Sequence, residues 1–169
     1  MRSLEDIHVV QPGRGDSVEL GGIGADFKLD GEVTLGSYSI VEHPLAPGAL
    51  VPPHAHANED EAMYVIVGEI GARVGDTVLP EASAGTYIFK PRGIPHTFWN
   101  AGAVPARIMH ILSPSGFETY FRELAALIPA RGEPDFEAIT ELAERYGVTF
   151  RLDWVPELSQ RYKVSVYGR

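Results

Sequence analysis

Two histidines, His54 and His56, stand two residues apart. On a strand, that spacing sends both imidazoles out of the same face. Glu61 follows five residues later at the start of the next strand, sharing its parity with Met63 and Val65. His96 lies far along the chain and needs the fold to join them. Three imidazoles and one carboxylate from three strands make a suitable ligand set for a divalent first-row metal. Taken alone, the His-x-His pair would serve as well as core filling or as an exposed polar pair. Of the six histidines, His8 and His43 read as surface or loop residues. His110 alternates with Ile108 and Leu112, so it either faces the cavity or is a hydrogen-bonded core histidine, the second being the preferred reading.

The chain has no cysteine, so any metal must be held by nitrogen and oxygen. Its 169 residues suffice for one compact domain with a real core. With 14 Lys and Arg against 23 Asp and Glu, the net charge is -9. Phosphate-binding surfaces work by clustering cations, so nucleic acid is not an expected partner. The first residues are acidic where a signal peptide needs an apolar stretch, and no apolar run approaches the ~20 residues that span a bilayer. A cytoplasmic protein with no membrane partner is the expectation.

The elements that must position these residues read as strands up to about residue 112. Strand-forming runs at 33–41 and 62–70, then 77–79, 86–90, 96–99 and 106–112, are punctuated by Gly and Pro. Gly68-Glu69 suits a type II′ hairpin, and Gly75-Asp76 suits another turn. Pro91-Arg92-Gly93 fits a type I turn with Gly at its fourth position. Asn100 can close a turn through its side chain. Many short strands without intervening helices predict an all-β, antiparallel sandwich or barrel. Both alternating sets of 62–67 are apolar, so that strand is expected to be covered on both faces, by helices, the N-terminal segment or a second subunit.

After residue 112 the period changes. Phe117, Phe121, Leu124 and Ile128 form one helical stripe, with Ser113-Pro114 as the candidate start and Pro129 beyond the end. A second helix is predicted over 134–146, with Phe136, Ile139, Leu142, Ala143 and Tyr146 inward and Gly147 as its stop. A third, shorter one is predicted around 156–162. The organisation is one domain: an N-terminal arm (1–32), a barrel (33–112) and a helical extension docked on it (113–169).

The spacing carries more. Gly48, His54, His56, Glu61 and Gly68 spell G-x5-H-x-H-x4-E-x6-G. Gly85, Pro91, Gly93, His96 and Asn100 spell G-x5-P-x-G-x2-H-x3-N, with sixteen residues between the two patterns. Both patterns are complete, and the chain closely resembles the cupin superfamily. The resemblance implies an antiparallel double-stranded β-helix, the jelly-roll or cupin barrel. It also implies that His54, His56, Glu61 and His96 bind one divalent transition metal (Fe, Mn, Ni, Co, Cu or Zn).

Among cupins the chain looks most like small bacterial quercetinase-like proteins, which implies a dioxygenase acting with dioxygen on a flavonol or another enolizable aromatic. Two other classes stand beside it: a non-oxidative metal-dependent isomerase or lyase, and a non-catalytic small-molecule-binding cupin. Against a regulator, the chain has no basic helix-turn-helix segment. Glu61 is the expected catalytic residue, taking a proton from a substrate hydroxyl. Its replacement by Gln is expected to spare much of the metal binding and abolish turnover. Met63, Phe98 and His110 are candidate walls of the substrate pocket. Cupin barrels often pair edge to edge, so a homodimer is expected.

Overall fold

The computed structural model describes residues 7–128 and 134–166. Thirteen short strands fold into two facing sheets. The first has the order β1 (Ser17–Glu19), β2 (Gly24–Leu29), β3 (Ser39–Leu45), β11 (Ala106–Ser113), β6 (Asp60–Val67), β9 (Tyr87–Lys90). In the second, β10 (His96–Trp99) lies between β7 (Glu69–Val74) on one side and β4 (Ala49–Leu50) with β5 (His54–His56) on the other. β8 (Thr77–Ser83) extends this sheet beyond β7, and β12 (Val148–Phe150) extends it beyond β5. All pairings are antiparallel except β13 (Ser165–Val166) with β4. The architecture is the expected jelly-roll barrel with helices after it.

Strand parity fills the barrel. Val41, His43 and Leu45 of β3, Met63 and Val65 of β6, and Ile108, His110 and Leu112 of β11 alternate with more exposed neighbours and are buried. Burying the aliphatic side chains and Met63 among them stabilises by roughly 1.5–3 kcal/mol each. The corner at Gly68 departs from the hairpin expected there. β6 pairs in the first sheet and β7 in the second, so Gly68-Glu69 carries the chain from one sheet to the other. Gly68 has φ 82°, and a Cβ there would stand 3.0 Å from the Ala106 backbone. The other expected hairpin forms, with Val74 paired to Thr77 across Gly75-Asp76.

Three local readings are corrected. Residues 31–34 form a helical turn (α1, Gly31–Thr34) and not a strand, because the Asp30 carboxylate accepts from the amides of Glu32 and Val33, both at 3.2 Å. The hydrogen-bonded turn near the second motif is Pro91–Ile94, one residue later than predicted, since Gly93 takes φ 75° and suits the third position. The first long helix, α2, begins at Glu118, well past Pro114, because Ser113 is still paired to Asp60 as the last residue of β11.

α2 (Glu118–Leu127) buries Phe117, Tyr120 and Leu124. α3 (Phe136–Arg145) is capped by Asp135 and followed by Gly147 at φ 68°, and it buries Ile139, Leu142 and Ala143. Phe136, expected inward, sits at the helix start and is 58% exposed. Pro129 lies outside the described residues. α4 (Val155–Tyr162) docks on the outer face of the second sheet, where Leu50, Trp99, Trp154, Leu158 and Val164 form a separate apolar cluster. That cover explains why all four residues of β10 are buried.

Among the described residues, part of the outer face of β6 is left exposed. Ile66 there is exposed beside Phe89 and Tyr87 of the edge strand β9, and Tyr64 packs on Tyr87 at 4.6 Å. Among the described residues, no helix is long and apolar enough to cross a membrane.

Candidate metal centre and its cavity

The two sheets bring the four predicted donors together. His54 and His96 are directly opposite each other on β5 and β10, and His56 follows two residues along on the same face. Glu61 enters from β6 in the facing sheet. One ligand atom from each of the four lies within 4.8 Å of the others. Opposite donors on one ion with bonds of about 2.2 Å stand ~4.4 Å apart, so the cluster has the dimensions of a single-ion site.

The ring orientations are set from outside. His54 Nδ1 donates to Pro52 O at 2.7 Å, and His96 Nδ1 donates to Ile94 O at 3.0 Å. His56 Nδ1 lies 3.4 Å from the buried Glu59 carboxylate. Each ring therefore turns Nε2 inward, the way second partners fix metal-binding histidines. Burial, reinforced by the neighbouring His96 and His56 rings, holds His54 well below the usual histidine pKa. Burial likewise lowers that of His96. Neutral His54 and His96, with Nδ1–H committed elsewhere, carry lone pairs on Nε2. His54 Nε2 and His56 Nε2 stand 3.1 Å apart, and His96 Nε2 stands 3.0 Å from Glu61 Oε2 without the alignment of a hydrogen bond. Such crowded, buried electron pairs fit a cation that accepts all of them.

Glu61 carries a second set of contacts that sequence reasoning missed. Lys90, directly across from it on β9, places Nζ 2.9 Å from Oε2. His110 Nδ1 lies 2.7 Å from Oε1, and Lys90 Nζ donates to His110 Nε2 at 3.0 Å, closing a ring of three side chains. Burial alone would raise the Glu61 pKa, but His110 and the Lys90 ammonium hold it well below the carboxylate range. Burial pushes His110 down to about 3, so it stays neutral. The preference for a hydrogen-bonded core histidine at 110 is met, and the same ring also lines the cavity. Lys90 was within reach of sequence reasoning, since it shares the inward parity of Ile88 on β9.

The cavity beside the donors has a volume of about 60 Å³. Phe117, Tyr120, Phe121 and Leu124 of α2 line it together with Phe98, His43 and His110. Phe117 packs edge-on against His56 at 4.2 Å. The helical stripe of 117–128 was read as docking on the barrel, and its role as cavity wall was not foreseen. A cavity of ~150 Å³ is known to hold benzene, so this space is too small for an aromatic ring unless the side chains around it move. Among the described residues, no Lys or Arg lines the cavity.

Phe98 lines this space, whereas Met63 is buried in the barrel core and does not. It sits one pleat further along β6 than Glu61, in register with His110. His43, read as a surface or loop residue, is 2% exposed and lines the cavity. Its parity with Val41 and Leu45 on β3 was the available signal. His8 is exposed, as predicted. The chain end also supports the centre: Val148 and Phe150 of β12 pair with His56 and His54.

Comparison with known proteins places this geometry. Residues 41–112 match the family described as "Cupin domain". A germin-like protein of Arabidopsis thaliana (subfamily T member 2) is 37% identical over 68 residues, covering 38% of this chain and 31% of that protein. The tetracenomycin polyketide synthase protein TcmJ of Streptomyces glaucescens is 39% identical over 71 residues, covering 41% of this chain and 46% of that protein. The chain thus spans less than half the length of either relative. An RmlC-like cupin from Shewanella frigidimarina superposes with a TM-score of 0.58 at 18% identity, over 67% of this chain and 96% of that one. The barrel, its two complete motifs and the family match together show that residues 41–112 form a cupin domain.

Proposed function

We propose that this chain is a metal-dependent dioxygenase whose substrate is an apolar, enolizable aromatic of the flavonol class, held beside a metal bound by His54, His56, Glu61 and His96. The observation that carries this reading is the lining of the cavity: apart from Glu61 and four histidines it is aromatic and aliphatic, with no Lys or Arg among the described residues. Such walls suit a planar ring and offer no counter-charge to a phosphosugar or a small dicarboxylate. When bound, the metal supplies Lewis acidity and, if it is redox-active, access to dioxygen chemistry.

The remaining roles belong to the chain. The side chains of α2 exclude water from the donors. Lys90 and His110 keep Glu61 ionised and fixed in orientation. Glu61 Oε2 is the base nearest the donors, and its depressed basicity requires a substrate hydroxyl that the metal itself has acidified.

Oxygen uptake by metal-loaded protein tests this. Uptake is expected with 3-hydroxyflavone and not with flavone, which lacks the enolizable hydroxyl. No uptake with any member of a flavonol panel would count against the dioxygenase. A second reading, a non-oxidative isomerase or lyase of an aromatic substrate, is favoured by the similarity to a polyketide synthase protein. It predicts product formation under nitrogen.

The exposed face of Ile66, Tyr87 and Phe89 lies beside the unpaired edge of β9. An open edge next to apolar side chains suits a two-fold contact with a second copy. Native mass at micromolar concentration is expected to be twice the chain mass, and Phe89→Glu is expected to halve it. A native monomer would remove the proposed dimer.

A further inference from the structure

We propose, resting on the aromatic-substrate reading above, that His43 recognises a hydroxyl group of the ligand, its Nε2 accepting a hydrogen bond from an O–H inside the cavity. The geometry fixes the tautomer. His43 Nδ1 lies 2.8 Å from Gly24 O, and a carbonyl can only accept, so Nδ1 carries the proton. The lone pair is then on Nε2. That atom is buried and has no hydrogen-bond partner among the described residues, although the ring lines the cavity.

The surroundings of His43 give it no other use. Its ring meets Phe121 edge-on at 5.1 Å and the His110 ring at 4.9 Å. His110 Nε2 accepts from Lys90, and its Nδ1 lies 2.7 Å from Glu61 Oε1. Burial pushes His43 down to about 4, so the lone pair persists at neutral pH. A buried acceptor in an apolar wall favours a ligand that brings a donor, because a ligand without one leaves the acceptor unpaired. It equally disfavours an anionic oxygen at the same place, since two acceptors cannot pair. The ligand class is therefore a neutral hydroxylated aromatic.

Phenol and toluene, nearly equal in shape, are the probes, with binding to metal-loaded protein followed by calorimetry. The native chain is expected to prefer phenol by roughly tenfold, the worth of one buried hydrogen bond. His43→Asn places an amide near the Nδ1 position and removes the acceptor, so the preference should vanish. His43→Gln returns an acceptor near the Nε2 position and should restore part of it.

Preference that survives in His43→Asn would mean that another group, the metal included, reads the hydroxyl, and would overturn the proposal. So would equal affinity for both probes, or no binding of either, in the native chain. Turnover of 3-hydroxyflavone measured in parallel separates the two ideas. A His43-dependent preference without turnover keeps this inference and removes the dioxygenase, and turnover without such a preference does the reverse.

Discussion

Glu61→Gln is expected to lower turnover by at least ~10²-fold and to cost about 3–5 kcal/mol of stability in the metal-free protein. The first effect follows from removing the base next to the donors. The second comes from Lys90, which is 1% exposed and has its ammonium 2.9 Å from Glu61 Oε2. A neutral amide leaves that buried cation without a counter-charge. Metal content should be largely retained, because the three imidazoles remain. The double variant Glu61→Gln with Lys90→Met removes both charges and should recover most of the stability while leaving turnover lost. Urea unfolding and 3-hydroxyflavone turnover on the two variants provide the readouts. Retained turnover in Glu61→Gln would remove its catalytic role. Unchanged stability would mean that the Lys90 pair is not the buried contact described here.

Stripping the metal is expected to lower the thermal midpoint of the native chain by roughly 8–16 °C. A ligand that binds only the folded state at a thousand times its dissociation constant stabilises by about 4 kcal/mol. For a domain of this size, each kcal/mol shifts the midpoint by about 2–4 °C. The direction is set by the geometry: the crowded lone pairs of His54, His56 and His96 repel without a cation and are shared with one. A variant lacking His96 should melt at the same temperature with and without added metal. A native midpoint indifferent to chelator would remove the metal from the account of stability.

How far the sequence reaches can be judged residue by residue. The four donors were legible because the motif spacings fix their parity on strands, and parity survives folding. His43 was equally legible in principle, since Val41 and Leu45 flank it at period two. Parity alone marks it, and a single histidine in a strand suits an exposed position as well as a buried one. Lys90 opposite Glu61 depends on the register of β6 against β9, which no local pattern states. The Gly68-Glu69 pair shows a different limit. Its turn chemistry is satisfied as well by a corner between sheets as by a hairpin, and only the global pairing chooses. The stripe at 117–128 announced a docked helix, but where it docks, over the donors, is a tertiary fact. The β-rich composition around Val33 lost to the cap that Asp30 supplies to α1.

The central claim is that three imidazoles and Glu61 form one metal site in an apolar cavity. Elemental analysis of protein purified without added metal tests it most directly. The account predicts close to one first-row transition metal per native chain and less than about a tenth of that after His96→Ala, with the variant still folded by circular dichroism. A native chain that holds no stoichiometric metal even after reconstitution, or a His96→Ala variant that binds as much as the native chain, would contradict it.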